Sequence, residues 1–287
     1  MAALTSTQLL LALGMLISGS INTLSKKAQN DCSSKGLKDE HGNEVHKFDH
    51  PWFQTGLMFI GETLCLISLY FHRRKERKKF KQNLMNVNQD DSGEVSAELS
   101  QQPRVFQWIF VFPTVCDLFG TTLGENIPQE KVMANSLDWH DCYHGIALIL
   151  AGQSVSATQM IVEELFLKRR NYHPLQVSSC INDEVVGMEG IFGVVFMSCL
   201  VLPVLYYIPG DQNHHSYENS LDALLMMKND TKLLIMSVLY ICSISFYNFF
   251  GLSVTKSLTA VHRTLIDACR TIVVWLVDLF VYYVFHE

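Results

Sequence analysis

Apolar residues fall along this chain in long blocks separated by strongly polar connectors. Seven blocks stand out, at 7–24, 52–71, 105–124, 144–167, 187–208, 232–254 and 264–285. Each approaches the ~20 residues, roughly 30 Å of helix, that span the hydrocarbon core of a bilayer. Lipid offers no partner to a bare peptide group, so a spanning segment bonds its own backbone as a helix. The pattern predicts an all-α, multipass transmembrane helix bundle with seven spans.

The blocks differ in detail. The first ends in a polar tail, Ser18 to Ser25, that mimics a signal-peptide cleavage region, but no Lys or Arg precedes Lys26. Lacking a basic leader, it reads as a retained span. The second opens at His50-Pro51-Trp52, with Trp52 and Tyr70 suited to the two interfaces. The third contains Pro113 and Asp117 and so needs neighbours to satisfy its interrupted backbone. The fourth is rich in small residues, among them Gly145, Ala151, Gly152 and Ser156, which allow close helix packing. Gln153 and Gln159 in that block would face a neighbour or a cavity.

The connectors set the orientation. Basic runs follow the second block, at Arg73 to Lys81, and the fourth, at Lys168-Arg169-Arg170. Lys256 and Arg263 flank the hinge between the sixth and seventh. Basic connectors stay in the cytosol. Alternating the spans from a cytosolic N-terminus puts all of these inside. It puts the glycosylation sequon Asn229-Asp230-Thr231 outside, where it can be used. The same parity argues against a seven-helix receptor, whose N-terminus lies outside. Residues 82–103, rich in Gln, Asn, Ser and Asp, read as a disordered loop. Residues 125–142 and 171–186 read as polar links, and 209–230 as an acidic connector carrying His214 and His215.

Composition agrees with the block pattern. Hydrophobic residues make up 48% and charged residues 17%, against about a quarter charged in soluble domains. The net charge of −6 says little, because position along the chain carries the information. Nothing suggests nucleic-acid binding, and the basic block Arg73 to Lys81 follows from orientation. Of the eight cysteines, five lie inside apolar blocks and none forms C-x-x-C. Cys32 and Cys142 fall in connectors on the same side, which leaves one pairing open. His140-Asp141-Cys142-x-His144 lacks the spacing of a zinc site and reads as a loop. No nucleophile–base arrangement or nucleotide loop is present, so neither an enzyme nor a cofactor or metal is indicated.

Ions inside the blocks are the functional candidates, because such groups are costly at membrane depth. Arg263, Asp267 and Arg270 fall at i, i+4 and i+7, on one helix face. Lys256 reads either as a cytosolic anchor that snorkels to the interface or as a cation for an anionic solute. Asp267 and Arg270 can also simply neutralise each other at i, i+3. Tyr247 and Asn248 are placed to line the same cavity. Glu62, Asp117 and Glu189 read either as buried polar contacts or as proton-coupling acids. Glu163-Glu164 faces the cytosolic rim, within reach of Lys168.

Several stretches resemble the drug/metabolite transporters of solute carrier family 35, F subfamily. They include G-S-I-N-T-L-S-K from Gly19 to Lys26, F-P-T-V-C-D-L-F-G-T-T-L from Phe112 to Leu123 and Q-M-I-V-E-E from Gln159 to Glu164. V-G-M-E-G-I-F-G from Val186 to Gly193 and Y-Y-I-P from Tyr206 to Pro209 follow. The most specific is G-x-S-V-T-K-x-L-x-A-x-x-R-x-x-x-D-x-x-R-T from Gly251 to Thr271.

The resemblance implies ten spans in two inverted five-helix repeats. On that frame residues 1–124 are an incomplete first repeat with a cytosolic loop at 72–104. Residues 125–143 are a polar connector in place of two helices, and 144–287 are a second repeat lacking its last helix. It implies alternating-access transport of a small polar, anionic organic solute such as a nucleotide-sugar-like compound, with Lys256, Arg263 and Arg270 supplying positive potential. It also implies a lysosomal membrane, with mitochondrial or Golgi membranes as alternatives. Tyr172-His173-Pro174-Leu175 has the form of a tyrosine-based sorting signal. A second reading is a non-transporting membrane protein that acts with an adenine nucleotide translocase in cell survival.

Overall fold

The computed structural model is a helical bundle capped at one end by a small hairpin and a short helix. The structure describes residues 5–37, 44–66, 111–112, 114–116, 118, 139–169, 178–212 and 216–285. Its elements are α1 (Ser6–Asn30), β1 (Ser33–Lys35), β2 (Val45–Lys47) and α2 (51–66). Next come α3 (Trp139–Arg169), α4 (Ser178–Phe196), a π turn (Met197–Val201), α5 (Leu202–Tyr207) and β3 (Pro209–Gln212). The chain then runs through α6 (Ser220–Asn229), α7 (Thr231–Ser257) and α8 (Ala260–Phe285).

Among the described residues, three helical segments are long and apolar enough to cross a membrane: Ser6–Asn30, Val186–Tyr207 and Thr231–Ser257. Their outward faces carry exposed Leu9, Leu10, Val195, Ile235 and Val238. An apolar surface of this extent belongs against lipid. The chain is an integral, multipass membrane protein. α8, with 26 residues, measures about 39 Å at ~1.5 Å per residue.

α1 starts on a reciprocal cap between Thr5 and Gln8. Its polar tail stays helical because the hydroxyls of Ser18, Ser20, Thr23 and Ser25 donate to carbonyls four residues back. Each hydroxyl thereby finds a partner without water. The helix runs to Asn30, six residues past the Leu24 at which the apolar block ends. It packs along α7 and α8 as a full member of the bundle.

Close helix contacts rest on glycine. A Cβ on Gly190 of α4 would lie 2.5 Å from the Thr63 nitrogen and 2.8 Å from the Phe59 carbonyl of α2. A Cβ on Gly61 of α2 would meet the Ile241 carbonyl of α7 at 2.7 Å. The Ser245 hydroxyl donates to the Gly61 carbonyl at the same crossing. Without a hydrophobic drive between helices in lipid, such close approach and interhelical hydrogen bonds hold the bundle.

The π turn has a local cause. Pro203 has no N–H for the Cys199 carbonyl, and its ring crowds that carbonyl. The helix widens just before it, and the Leu202 N–H bonds back to the Met197 carbonyl, one residue further than in an α-helix.

At the capped end β1 and β2 pair antiparallel, with Ser34 opposite His46. The hairpin sits on α6: the Ser34 hydroxyl donates to the Met226 carbonyl at 2.9 Å, and Asn229 Nδ2 to the Lys35 carbonyl at 2.8 Å. Beneath them Phe48, Phe53, Leu57, Met226, Leu233 and Tyr240 form one buried apolar cluster. The connectors 26–51 and 209–230 therefore meet at one end, as alternating spans require. At the opposite end Gln8 Nε2 donates to the Ser257 carbonyl at 3.2 Å, joining the start of α1 to the α7–α8 hinge.

The structure corrects two expectations and closes one question left open. His140 to His144 are not a loop but the first turns of α3, which begins at Trp139 inside the stretch read as a connector. The link 171–186 is helical from Ser178 onward. The Cys32 thiol is buried and unbridged, donating to the Ala28 carbonyl at 3.1 Å. Asp117, the Arg73–Lys81 tract, 82–103, Tyr172–Leu175 and His214–His215 lie outside the described residues.

Candidate functional site

Five helices converge on a cavity of about 150 Å³ inside the bundle. α2 contributes Glu62, α3 Gln159, α4 Glu189, α7 Tyr247 and Asn248, and α8 Arg263. Met58, Met160, Val186, Ile244 and Leu252 supply apolar wall. Glu62, Glu189 and Arg263 are all buried, at 3%, 6% and 7% exposure. Three ionisable groups thus share one small, low-dielectric space.

Each acid is held by an amide. Asn248 Nδ2 donates to Glu62 Oε1 at 2.7 Å, and Gln159 Nε2 donates to Glu189 Oε1 at 3.1 Å. Asn248 belongs to α7, where it is carried to the cavity by the same turn as Tyr247. Arg263 lies one turn into α8, against Gly251 of α7. A Cβ at Gly251 would come within 3.0 Å of the Arg263 Nε, so the guanidinium packs tightly against this glycine.

The remaining α8 ions form a separate group beside the cavity. Asp267 and Arg270 pair at 3.3 Å, as their i, i+3 spacing allows. The Tyr247 hydroxyl donates to Asp267 Oδ1 at 2.7 Å, and the Arg270 guanidinium stacks over the Tyr247 ring at 5.3 Å. Arg270 also packs against Gly19 of α1. Tyr247 is therefore the bridge between this group and the cavity. Lys256 is half-buried near the end of α7 and does not line the cavity.

Of the residues singled out from sequence, Glu62, Glu189, Asn248 and Arg263 meet in the cavity. Asp267 and Arg270 neutralise each other next to it, and Lys256 stands apart. Glu164 turns its carboxylate to the Ala260 N–H at 3.0 Å, capping the start of α8 from α3. Asn229, the sequon residue, holds the hairpin backbone through the nitrogen to which a glycan would attach.

The chain is 31% identical over 330 positions to "Solute carrier family 35 member F6" of Rattus norvegicus, covering 95% of this chain and 82% of that protein. It is 29% identical over 334 positions to the Homo sapiens protein of the same name, covering 96% and 83%. An uncharacterized protein of Schizosaccharomyces pombe matches over 137 positions at 30% identity, 47% of this chain and 40% of that one. The 334 aligned positions outnumber the 287 residues here, so the human protein has stretches without counterpart in this chain. No family model matches the chain, and no solved structure does.

Proposed function

This chain belongs to solute carrier family 35, and from that premise we propose that it carries a small polar, anionic organic solute across the membrane by alternating access. One observation supports the reading above others. A buried arginine and two buried carboxylates, brought by α8, α2 and α4, border the same cavity. Intramembrane ions around a cavity between helices mark solute and ion paths. Arg263 receives the anionic group of the solute. Glu62 and Glu189 carry the coupling proton, with Asn248 and Gln159 holding them in place. Asp267 and Tyr247 keep Arg270 from competing for the solute.

The size of the cavity limits what it can hold as it stands. At about 150 Å³ it is well below the roughly 300–1,000 Å³ of sites for drug-sized ligands. A nucleotide-sugar-like compound enters only after the helices around it part. The Tyr172–Leu175 tetrapeptide supports delivery to the lysosomal membrane; its Tyr172→Ala variant is expected to redistribute to the cell surface in imaged cells.

The test is uptake by the purified chain in liposomes against a panel of anionic and neutral solutes. Saturable uptake of an anionic solute, lost in Arg263→Ala and kept in Lys27→Ala, supports the reading. Uptake undiminished in Arg263→Ala, or a folded chain that moves none of the panel, overturns it.

A further inference from the structure

The cap holds a cluster of donor atoms that transport leaves unused. β2 brings His46, the residue before α2 brings His50, and α6 brings Asp222. His46 Nε2 lies 2.7 Å and His50 Nε2 3.4 Å from one oxygen, Asp222 Oδ2. The three atoms all fall within 4.8 Å of one another. Nitrogen and oxygen ligands about 2.0–2.2 Å from a tetrahedral ion stand roughly 3.4 Å apart. The His50–Asp222 edge already has that length, at 3.4 Å. The His46 ring reaches it by backing away about 0.7 Å, a small side-chain rotation within the rough tetrahedral geometry.

The surroundings fit as well. His50 Nδ1 is 2.9 Å from Glu218 Oε1, and the Glu218 side chain is fully buried. A carboxylate behind the far nitrogen of an imidazole is the usual support of a metal-binding histidine. Asp222 Oδ1 is occupied by the Leu37 N–H, which leaves Oδ2 to face the two rings. His46 Nδ1 has no hydrogen-bond partner among the described residues, so that ring is held through Nε2. The His50 and Asp222 side chains are 3% and 2% exposed, but that of His46 is 27% exposed. The cluster is thus walled on its inner side and open to solvent past His46, where a water can complete the coordination.

We propose that His46, His50 and Asp222 bind a divalent transition-metal ion of the zinc class, with Glu218 orienting His50. Two imidazoles and one carboxylate select such an ion over calcium or magnesium, which favour all-oxygen shells. The ion clips α6 to the hairpin and the start of α2, although His46 and Asp222 stand 176 residues apart in the chain. With the metal in place His50 is neutral, donates Nδ1–H to Glu218 and gives its Nε2 lone pair to the ion.

The test uses the full chain in detergent, stripped with a chelator and titrated with Zn²⁺, and with Co²⁺ as a spectroscopic probe. One equivalent is expected, with the visible absorption of tetrahedral Co²⁺. His46→Gln is expected to remove binding without unfolding the cap, because His46 is partly exposed. Glu218→Gln is expected to weaken it about 10–100-fold, and His262→Gln to leave it unchanged. Absence of stoichiometric binding by the folded wild-type chain overturns the proposal. So does equal affinity in the wild type, His46→Gln and Asp222→Asn.

Discussion

The cavity and the cap both bury charge, and they are built on opposite plans. In the cap, imidazole and carboxylate atoms close on one another within 2.7–3.4 Å. Burial opposes the His50 charge, but hydrogen bonds to Asp222 and Glu218 outweigh it and, without metal, push its pKa up to about 9. Burial likewise works against the Asp222 carboxylate, yet His50, the Leu37 N–H and His46 hold it at about 2. In the bundle, Glu62, Glu189 and Arg263 stand around about 150 Å³ of space. Charges that close on each other stiffen a fold. Charges that border a space leave room for a visitor.

That contrast can be broken, starting with the cap. His50→Ala leaves the buried Glu218 without its imidazole and Asp222 with His46 alone, and is expected to cost about 3–5 kcal/mol. Thermal unfolding in detergent measures it. The double change His50→Leu with Glu218→Leu should cost less than either single change, because apolar side chains replace a complete pair. A double variant as unstable as the sum of the singles would show that the cap is not a closed pair.

In the cavity the same logic predicts a different readout. Arg263→Ala should lower uptake on the order of 10–100-fold, from ~1.5–3 kcal/mol per hydrogen bond to a charge. Its melting point should move less than that of His50→Ala. A larger stability loss than uptake loss would make Arg263 a structural ion. Gly190→Ala, which drives a methyl into the α2 backbone, should cost about 1–3 kcal/mol, read as a lower unfolding midpoint. Smallest is Lys27→Ala. It breaks a 2.9 Å pair with Asp278 whose side chains are 56% and 39% exposed, worth at most about 1 kcal/mol. Uptake should not change.

The spans were legible because lipid imposes one requirement on every residue of a block. Val186–Tyr207 and Thr231–Ser257 fall within a residue or three of the apolar runs 187–208 and 232–254. The tail of α1 was not legible, since Ser25 and Gln29 look polar until their partners are known. Ser25 bonds its own helix, and Gln29 lies between Gln54 and the Met236 carbonyl. The polar residues of the cavity were readable singly, Glu62, Glu189 and Arg263 as lone ions in or beside apolar runs and Gln159, Tyr247 and Asn248 as polar groups within them. The cap was invisible. His46 and Asp222 are 176 residues apart, no local period links them, and each lies in a stretch that reads as a polar connector. Only the hairpin and α6, both too short to announce themselves, bring them together.

The widened turn at Met197–Val201 puts one more residue into its loop of backbone than the helix on either side. The two halves of that span are consequently out of phase. A stripe counted from Gly187 through Gly193 toward α2 does not continue to Tyr206; the count begins afresh past Val201. A scanning experiment along this span should show two sensitive stripes, offset around the axis, with the break at the proline.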